Sequence, residues 1–290
     1  MIGAIRVASV NLQEGGLDAD GSRARWERSV DAIGGWEPDV VCVQEMAARR
    51  DPRLLRSHLW ATANALGMVP VLGSEGGISG NHPAILVRQG EVAIIDEGPL
   101  PRQPGHDPAW CEAVLRLEPS GPAVRVHSVH LPPGSAAEQL VHAQHLASRV
   151  AQRGELAILA GDWNCYAPAD HVTAEALASQ PLHLRPARMH VAPGRPLAAS
   201  YAVHEALAGV GMTDAAAGLG PDLRDPRDLT ATGINGGGRV DRFYLSRELW
   251  ESGAVSSYAQ KDGGGSDHLM IMITVRLDKL AAATAPGFQA

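Results

Sequence analysis

Short apolar stretches recur along the chain and predict a series of β-strands. In each stretch, apolar and polar residues alternate, or apolar residues follow one another without a break, as they do in half-buried and buried strands. The stretches are IRVASVNL, DVVCVQE, PAILVR, EVAIID, CEAVLRLE, VRVHSVHL, ELAILAGD, VDRFYLS and HLMIMITVRL.

Longer segments with apolar residues at helical spacing lie between some of these strands. SRARWERSVDAIGGW offers Ser22 as an N-cap, and DPRLLRSHLWATANALG ends in the glycine that commonly follows a helix. SAAEQLVHAQHLASRVAQRG runs from a Ser135 cap to Gly154, and SYAVHEALAGVG is the fourth candidate. These patterns predict four helices.

Strands and helices alternate, but several strands follow one another directly in the middle of the chain. This mixture predicts a layered α/β fold in which two packed sheets carry helices on their outer faces. No composition shift divides the chain, so we expect one domain over residues 1–278 and a flexible tail over residues 279–290. The region 182–200 is rich in Pro, Arg and His and is expected to form surface loops that face the substrate.

Composition narrows the class of protein. The chain has 290 residues, of which 45% are hydrophobic and 20% charged, as expected for a globular domain. No apolar run approaches the roughly 20 residues that span a bilayer, and the N-terminus lacks a signal-peptide pattern. Three cysteines without CxxC spacing make a disulfide framework improbable. We therefore expect a cytoplasmic protein without a membrane partner.

Polar residues of metal-binding or acid/base type gather at the ends of six predicted strands. Taken singly, each has an ordinary explanation as a turn former, a solvent-facing strand end, a core histidine, a surface ion pair or a flexible glycine turn. Turn chemistry does not explain why all six strand ends carry such residues. The residues are Asn11, Glu45, His130, Asp162 with Asn164, Asp241, and Asp267 with His268.

Hydrolysis of a phosphate ester is one reaction that would use all of these residue types together. The reaction needs charge neutralisation at the phosphoryl oxygens, an activated water and donors aimed at the transition state. Glu45 suits Mg²⁺, which prefers carboxylate oxygen, and the chain lacks HxH, HExxH and CxxC zinc spacings. Asp162 is a candidate base for the attacking water, and His268 is a candidate phosphate donor. Asn11 and Asn164 can hold an anion or a metal-bound water without adding negative charge.

The motifs that carry these residues resemble the endonuclease/exonuclease/phosphatase superfamily, which has the DNase-I-like fold. The resemblance runs from VASVNLQ to SDHLMIMITV and rests on VCVQE, LAGDWN, GSDH and RVDRFYLS, in that family's pattern. Trp163 stands where the family commonly has Phe. The resemblance implies a four-layer α/β sandwich with two central, mainly antiparallel sheets flanked by helices.

The resemblance also implies roles for individual residues. Glu45 would hold Mg²⁺ or Mn²⁺, with Asn11 nearby and Asp267 assisting, and Asp241 would support the site or ligate a second metal. Asp162 would be the general base, and Asn164 and His268 would contact the phosphate, with Asp267 as a partner of His268. His130 would lie near the leaving group or the phosphate, and we expect Arg242 to contact substrate. The roles cover the residues Asn11, Glu45, His130, Asp162, Asn164, Asp241, Arg242, Asp267 and His268.

The substrate stays open between two hydrolase hypotheses. A net charge of −7 and the lack of a basic face favour a small or soluble phosphate ester. A DNA or RNA nuclease is the alternative, with local phosphate contacts from Arg185, Arg188, His190 and Arg195. A non-hydrolytic binding or biosynthetic member is a third hypothesis, which predicts erosion of the site residues that are in fact present. No obligate protein partner is expected.

Overall fold

The computed structural model describes residues 3–18, 20–46, 54–73, 82–90, 92–97, 110–117, 121–190, 194, 196–220, 222, 231–233 and 238–283. Two six-stranded sheets form the centre of this part of the chain. The first sheet has the order β13-β14-β1-β2-β4-β3, from Val255–Asp262, Leu269–Arg276, Ala4–Asn11, Val40–Gln44, Ala84–Arg88 and Met68–Leu72. The second has the order β11-β12-β8-β7-β6-β5, from Thr213–Asp214, Asp241–Leu245, Ala157–Asp162, Ala123–His130, Trp110–Leu117 and Val92–Asp96.

Each sheet contains one parallel pair of strands within an otherwise antiparallel order. In the first sheet β1 pairs in parallel with β2, and in the second β7 pairs in parallel with β8. Helix α1 (Ala24–Gly34) connects the first pair, and α3 (Ala136–Arg153) connects the second. Because both strands of a parallel pair end at the same edge of a sheet, each pair brings two strand ends together.

The apolar residues form three layers of core, which makes the fold a four-layer α/β sandwich. One cluster fills the space between the sheets and includes Val7, Ile158 and Ile273. A second joins the first sheet to α1 and to α2 (Leu54–Leu66), and a third joins the second sheet to α3 and to α6 (Ala202–Ala208). The predicted fold is therefore confirmed. No described helix is long and apolar enough to cross a membrane.

The N-cap and the terminal glycine predicted for the third helix mark the two ends of α3. The Ser135 side chain accepts a hydrogen bond from Glu138 N, and Gly154 closes the helix in the left-handed conformation at φ 55°. In α1 the helix begins at Ala24, two residues after Ser22, whose hydroxyl oxygen accepts the Ala24 N–H at 3.3 Å. Shorter helices complete the described chain, namely α4 (Ala174–Ser179), α5 (Arg185–Arg188), α7 (Ala215–Gly218), α8 (Arg247–Glu251) and α9 (Leu277–Ala283).

The two edge strands of the first sheet escaped the sequence pattern. Strand β3 contains Pro70, which an edge position tolerates because one side of the strand needs no ladder hydrogen bond. Strand β13 carries the polar sequence VSSYAQKD because it also lies at an edge.

Two further expectations are wrong in part. The region 182–200, expected to form surface loops, contains α5 and a short antiparallel pair of β9 (Met189–His190) with β10 (Ala198–Ala199). Helix α9 occupies residues 279–283 of the expected flexible tail. Residues 284–290 lie outside the described chain.

A buried carboxylate lies between the second sheet and α3. Glu112, which is 3% exposed, forms ion pairs with Arg125, Arg149 at 2.9 Å and Arg153 at 3.4 Å. His127 is its neighbour across the strand pair, fully buried, with neither ring nitrogen hydrogen bonded among the described residues. Burial lowers the pKa of His127 to about 4, against the opposing attraction of Glu112. His127 is therefore neutral in the folded protein near neutral pH.

Candidate active site

The site residues lie on the inner faces of both sheets, at the same end of the sandwich. Alternate residues of a strand share a face, and in β1, β7 and β8 the face that packs between the sheets ends at Asn11, His130 and Asp162. Asp162 is directly opposite His130 in β7 and opposite Asp241 in β12. The strand periods therefore place polar residues from separate parts of the chain at one opening between the sheets.

Glu45 follows β2 in a left-handed conformation, at φ 53°, which ends the strand and turns its carboxylate towards β1. A tight turn after β1 holds this carboxylate. Glu14 N donates to Glu45 Oε2 at 3.0 Å, Gly15 N donates to the Glu45 carbonyl at 2.6 Å, and Asn11 Nδ2 lies 3.3 Å from Glu45 Oε1. His58 contacts the Gly15 carbonyl at 2.6 Å and supports the turn from behind. Non-glycine residues with positive φ are uncommon and often mark functional sites.

Three side-chain nitrogens surround one oxygen of Asp162. Asn11 Nδ2 is 3.2 Å from Asp162 Oδ2, His130 Nε2 is 3.6 Å away and His268 Nε2 is 3.7 Å away. His130 Nε2 is also 3.7 Å from Glu45 Oε1. Asn11, His130 and Asp162 are all buried. Two carboxylates and the donors that serve them thus share one small volume.

His268 is hydrogen bonded to Asp241, and Asp267, the partner implied by the resemblance, lies farther from its ring. His268 Nδ1 and Asp241 Oδ2 are 2.8 Å apart, whereas His268 Nε2 and Asp267 Oδ1 are 4.0 Å apart. Burial lowers the pKa of His268, but Asp241 and Asp162 outweigh it and raise the pKa to about 10. The raised pKa favours the protonated ring, whose Nε2 faces Asp162 Oδ2 at 3.7 Å.

Asp162 and Asn164 form a turn as well as part of the site. Strand β8 ends at Asp162, and Asn164 has φ 50°, so the alternation of the strand does not extend to Asn164. Asn164 N donates to Asp162 Oδ1 at 2.9 Å, which leaves Oδ2 directed at the site. The Asn164 side chain donates through Nδ2 to the Leu131 carbonyl at 3.0 Å and accepts from Arg188 Nη2 at 3.0 Å.

The donor set fits a hard divalent cation. The carboxylates of Glu45 and Asp162 both contact Asn11 Nδ2, so two negative charges face each other across one nitrogen. Carboxylate oxygen is the preferred ligand of Mg²⁺. Asn11 Oδ1 accepts the Gln13 N–H at 2.9 Å, so Asn11 presents its amino group to the carboxylates.

A second group of potential metal ligands also includes Asp162. Asp162, Asp241 and His268 each offer one ligand atom within 4.8 Å of the others. His268 Nδ1 is engaged with Asp241 at 2.8 Å, and the raised pKa of His268 favours the protonated ring, in which both nitrogens are donors. Asp267, with a side chain 22% exposed, lies at the rim of the same opening.

The structure places Arg242 away from the opening. Neighbouring residues of a strand point to opposite faces, and Arg242 is fully buried on the side of β12 that faces away from Asp241. Its guanidinium contacts Asp170 and the Cys165 carbonyl. The expected substrate contact is therefore wrong, because these buried partners occupy the side chain. Sequence adjacency to Asp241 gave a misleading signal.

The arginines of region 182–200 also differ from expectation. Arg185 donates to the carbonyls of Gln180 at 3.0 Å and Ala178 at 2.8 Å. Arg188 is 5% exposed and contacts Asn164, and His190 is exposed in β9. Arg195 lies outside the described residues.

Sequence reasoning missed the small polar residues that support the site. Gln44 Nε2 donates to Ser128 Oγ at 3.0 Å and so links the two sheets beneath the opening. Ser266 Oγ donates to the Asn11 carbonyl at 2.6 Å and accepts the His268 N–H at 3.1 Å. The Thr232 hydroxyl accepts the Asp241 N–H at 3.0 Å. Gln44 and Ser128 have a sequence signal, because each is a polar residue in register with the inward face of an apolar strand.

Solved structures with a similar fold include both nucleases and phosphatases by their descriptions. ANGEL2, a 2′,3′-cyclic phosphatase in complex with adenosine-2′,3′-vanadate, aligns over 95% of this chain and 96% of its own with a TM-score of 0.64 and 13% identity. An AP endonuclease from Archaeoglobus fulgidus aligns over 93% of this chain and 98% of its own, with a TM-score of 0.62 and 16% identity. The mannosyl-6-phosphatase Bt3783 from Bacteroides thetaiotaomicron VPI-5482 aligns over 93% of this chain and 98% of its own, with a TM-score of 0.61 and 17% identity.

At these identities the structural likeness establishes the fold alone. Comparison of the sequence with curated proteins gave no match. The family model described as Endonuclease/Exonuclease/phosphatase family matches residues 8–268, a span that contains every site residue from Asn11 to His268. The chain is therefore a member of the endonuclease/exonuclease/phosphatase family, with its DNase-I-like fold.

Proposed function

We propose that this protein is a metal-dependent phosphoesterase that hydrolyses a small or soluble phosphate ester by in-line attack of water. The observation that carries the proposal is the convergence of Asn11, His130 and His268 on Asp162 Oδ2, beside the carboxylate of Glu45. A carboxylate with one oxygen fixed by a backbone donor and the other directed into a polar opening suits a general base.

Glu45 is the residue that would hold Mg²⁺ or Mn²⁺, with Asn11 and Asp267 beside it. A divalent cation supplies neutralisation of charge at the phosphoryl oxygens. The N–H of Glu14 and the amide of Asn11 orient the Glu45 carboxylate for this role. These contacts fix both oxygens of Glu45, which reduces the reorganisation needed when a cation binds.

Asp162 would orient and deprotonate the attacking water through Oδ2, since its Oδ1 is held by Asn164 N. His268 would donate Nε2–H to a non-bridging phosphoryl oxygen. Asp241 keeps His268 charged and fixes its ring through Nδ1, so Asp241 acts on the reaction through His268. Asn164 would donate its free Nδ2 hydrogen to the phosphate. His130, close to both carboxylates, would contact the phosphate or the leaving group.

Two features support a soluble ester over a polymer. The net charge of −7 opposes non-specific attraction to a nucleic acid backbone. In addition, the arginines Arg185 and Arg188 are engaged with internal partners. A DNA or RNA nuclease remains the alternative, because the same set of residues serves either ester.

The three cysteines are free and buried, which supports a reducing compartment such as the cytoplasm.

An activity panel tests the proposal. The wild type would be incubated with Mg²⁺, with Mn²⁺ and with EDTA, on bis-p-nitrophenyl phosphate, p-nitrophenyl phosphate, nucleotides, RNA and plasmid DNA. We expect metal-dependent hydrolysis of at least one soluble ester and weak cleavage of DNA. Strong, salt-sensitive cleavage of DNA or RNA would favour the nuclease alternative. No metal-dependent hydrolysis of any ester would contradict the proposal.

A further inference from the structure

The region 182–200 places a buried arginine against one of the proposed phosphate contacts. Arg188, in α5, is 5% exposed, and its Nη2 donates to Asn164 Oδ1 at 3.0 Å. Its Nη1 donates to Gln180 Oε1 at 3.0 Å. Both of these partners are neutral amides, and the buried phenol of Tyr166 is a further neutral neighbour, whose pKa burial raises and Arg188 lowers. Arg188 forms no ion pair with any carboxylate within the described ranges.

A buried guanidinium without a carboxylate partner is unusual, because removing a charge from water costs free energy that an ion pair normally offsets. In the same structure, the buried Arg239 is paired with Asp170 at 2.9 Å and with Asp214 at 2.5 Å. Arg188 also has a buried Nε without a hydrogen-bond partner among the described residues. Among the described residues, Arg188 is therefore a buried positive charge that contacts Asn164 and has no carboxylate in an ion pair with it.

The hydrogen bonds of Asn164 define what this charge can do. The amide accepts through Oδ1 from Arg188 and donates one Nδ2 hydrogen to the Leu131 carbonyl at 3.0 Å. An amide nitrogen has two hydrogens, so one remains for a ligand. Because Arg188 only donates hydrogen bonds, it fixes the oxygen of the amide on its own side and the nitrogen on the opposite side.

We infer that Arg188 is a positioning residue that fixes and polarises the Asn164 amide for its contact with the phosphoryl group. A charged donor on Oδ1 draws electron density from the amide, which strengthens its N–H as a donor. The effect acts through Asn164, and it rests on the phosphoesterase function proposed above.

A double-mutant cycle on hydrolysis of bis-p-nitrophenyl phosphate with Mg²⁺ tests the inference. We expect Asn164→Ala to lower kcat by about 100-fold, as loss of a transition-state donor does. Arg188→Met should lower kcat by about tenfold or more, with KM changed by less than about threefold, because the lost polarisation matters most where phosphoryl charge develops. In the Asn164→Ala background, Arg188→Met should change kcat by less than about twofold.

Two further variants separate positioning from folding. Arg185→Met is the matched control, since Arg185 lies in the same helix and its hydrogen bonds to described residues all go to backbone carbonyls. It should leave kcat within about twofold of the wild type. Arg188→Lys keeps a charged donor and should recover part of the kcat lost in Arg188→Met. It also provides a folded variant if Arg188→Met does not fold.

The outcomes distinguish this inference from the proposed function. Equal loss of kcat from Arg188→Met in both backgrounds, or kcat within about twofold of the wild type in both Arg188 variants, overturns the positioning role while the phosphoesterase function stands. A wild type that hydrolyses no phosphoester with metal overturns both. If hydrolysis is intact in Asn164→Ala, the assignment of Asn164 fails, and the role of Arg188 fails with it.

Discussion

Gly161, the residue before Asp162, offers a quantitative test of how closely the second sheet holds the site. Its φ is 154°, and it lies opposite Val129 in the parallel pair of β7 and β8. A Cβ at this position would lie 1.9 Å from the Val129 carbonyl oxygen and 2.7 Å from the carbonyl carbon. Ordinary contact begins near 3.4 Å, so Gly161→Ala must separate the two backbones by about 1.5 Å.

This displacement should reduce both stability and activity. Overpacking of a core costs about 1–3 kcal/mol and a strained φ costs a similar amount, so we expect a loss of about 3 kcal/mol or more in the free energy of unfolding. Since β7 carries His130 and β8 carries Asp162, their separation should lower kcat by about 100-fold, as a misplacement of about 1 Å can do.

Urea unfolding and the kcat for a soluble phosphoester, measured on the folded protein, check both effects. Gly154→Ala is the control, because Gly154 also has a positive φ, of 55°, but has open space around its Cβ position at the end of α3. That variant should lose about 1–2 kcal/mol and keep its kcat. A Gly161→Ala protein within about 1 kcal/mol of the wild type, with more than about half its kcat, would refute the reasoning.

Three other perturbations have defined outcomes. Glu45→Gln should raise the Mg²⁺ concentration needed for half-maximal activity by about tenfold or more, because it removes a charged ligand, and an unchanged metal titration would contradict the assignment. Asp241→Asn should lower the pKa of His268, measured by NMR, and kcat should fall with it, since Asp241 raises that pKa in the folded protein. His127 has a lowered pKa, so the unfolded chain binds its proton first and stability falls as the pH drops from about 6.5 towards 4. The wild type should lose about 2 kcal/mol more than His127→Leu between about pH 7 and about pH 5, and equal losses in urea unfolding would refute this.

The alternation of apolar residues was sufficient to predict the central strands because those strands are buried. Strands β1, β2, β7 and β8 pack on both faces, so their patterns are strong. The edge strands β3 and β13 face solvent on one side and have weaker patterns, which explains why they were missed. Short helices such as α5 escaped for a related reason, because four residues are too few to show a helical period.

The position of a candidate residue at a strand end was predictable, but its partner was not. The hydrogen bond of His268 to Asp241 depends on how β12 and the turn before β14 meet in space, whereas adjacency along the chain suggested only Asp267, which lies farther from the ring. Arg242 shows the same limit, since its direction follows from the strand face, but its partner Asp170 lies in the short 3₁₀ helix Pro168–Asp170, 72 residues earlier in the chain. The local sequence predicts which face of a strand a side chain occupies, whereas the partner of that side chain on another element depends on the assembled fold.

The central claim is that Asp162 activates water for attack on a phosphate ester. Asp162→Asn keeps the shape of the side chain and removes its capacity to take a proton, so it isolates that role. In a metal-supplemented assay on the ester that the wild type hydrolyses, we expect kcat to fall by about 1,000-fold, with the thermal unfolding transition retained. A folded Asp162→Asn protein whose kcat stays within about tenfold of the wild type would contradict the account.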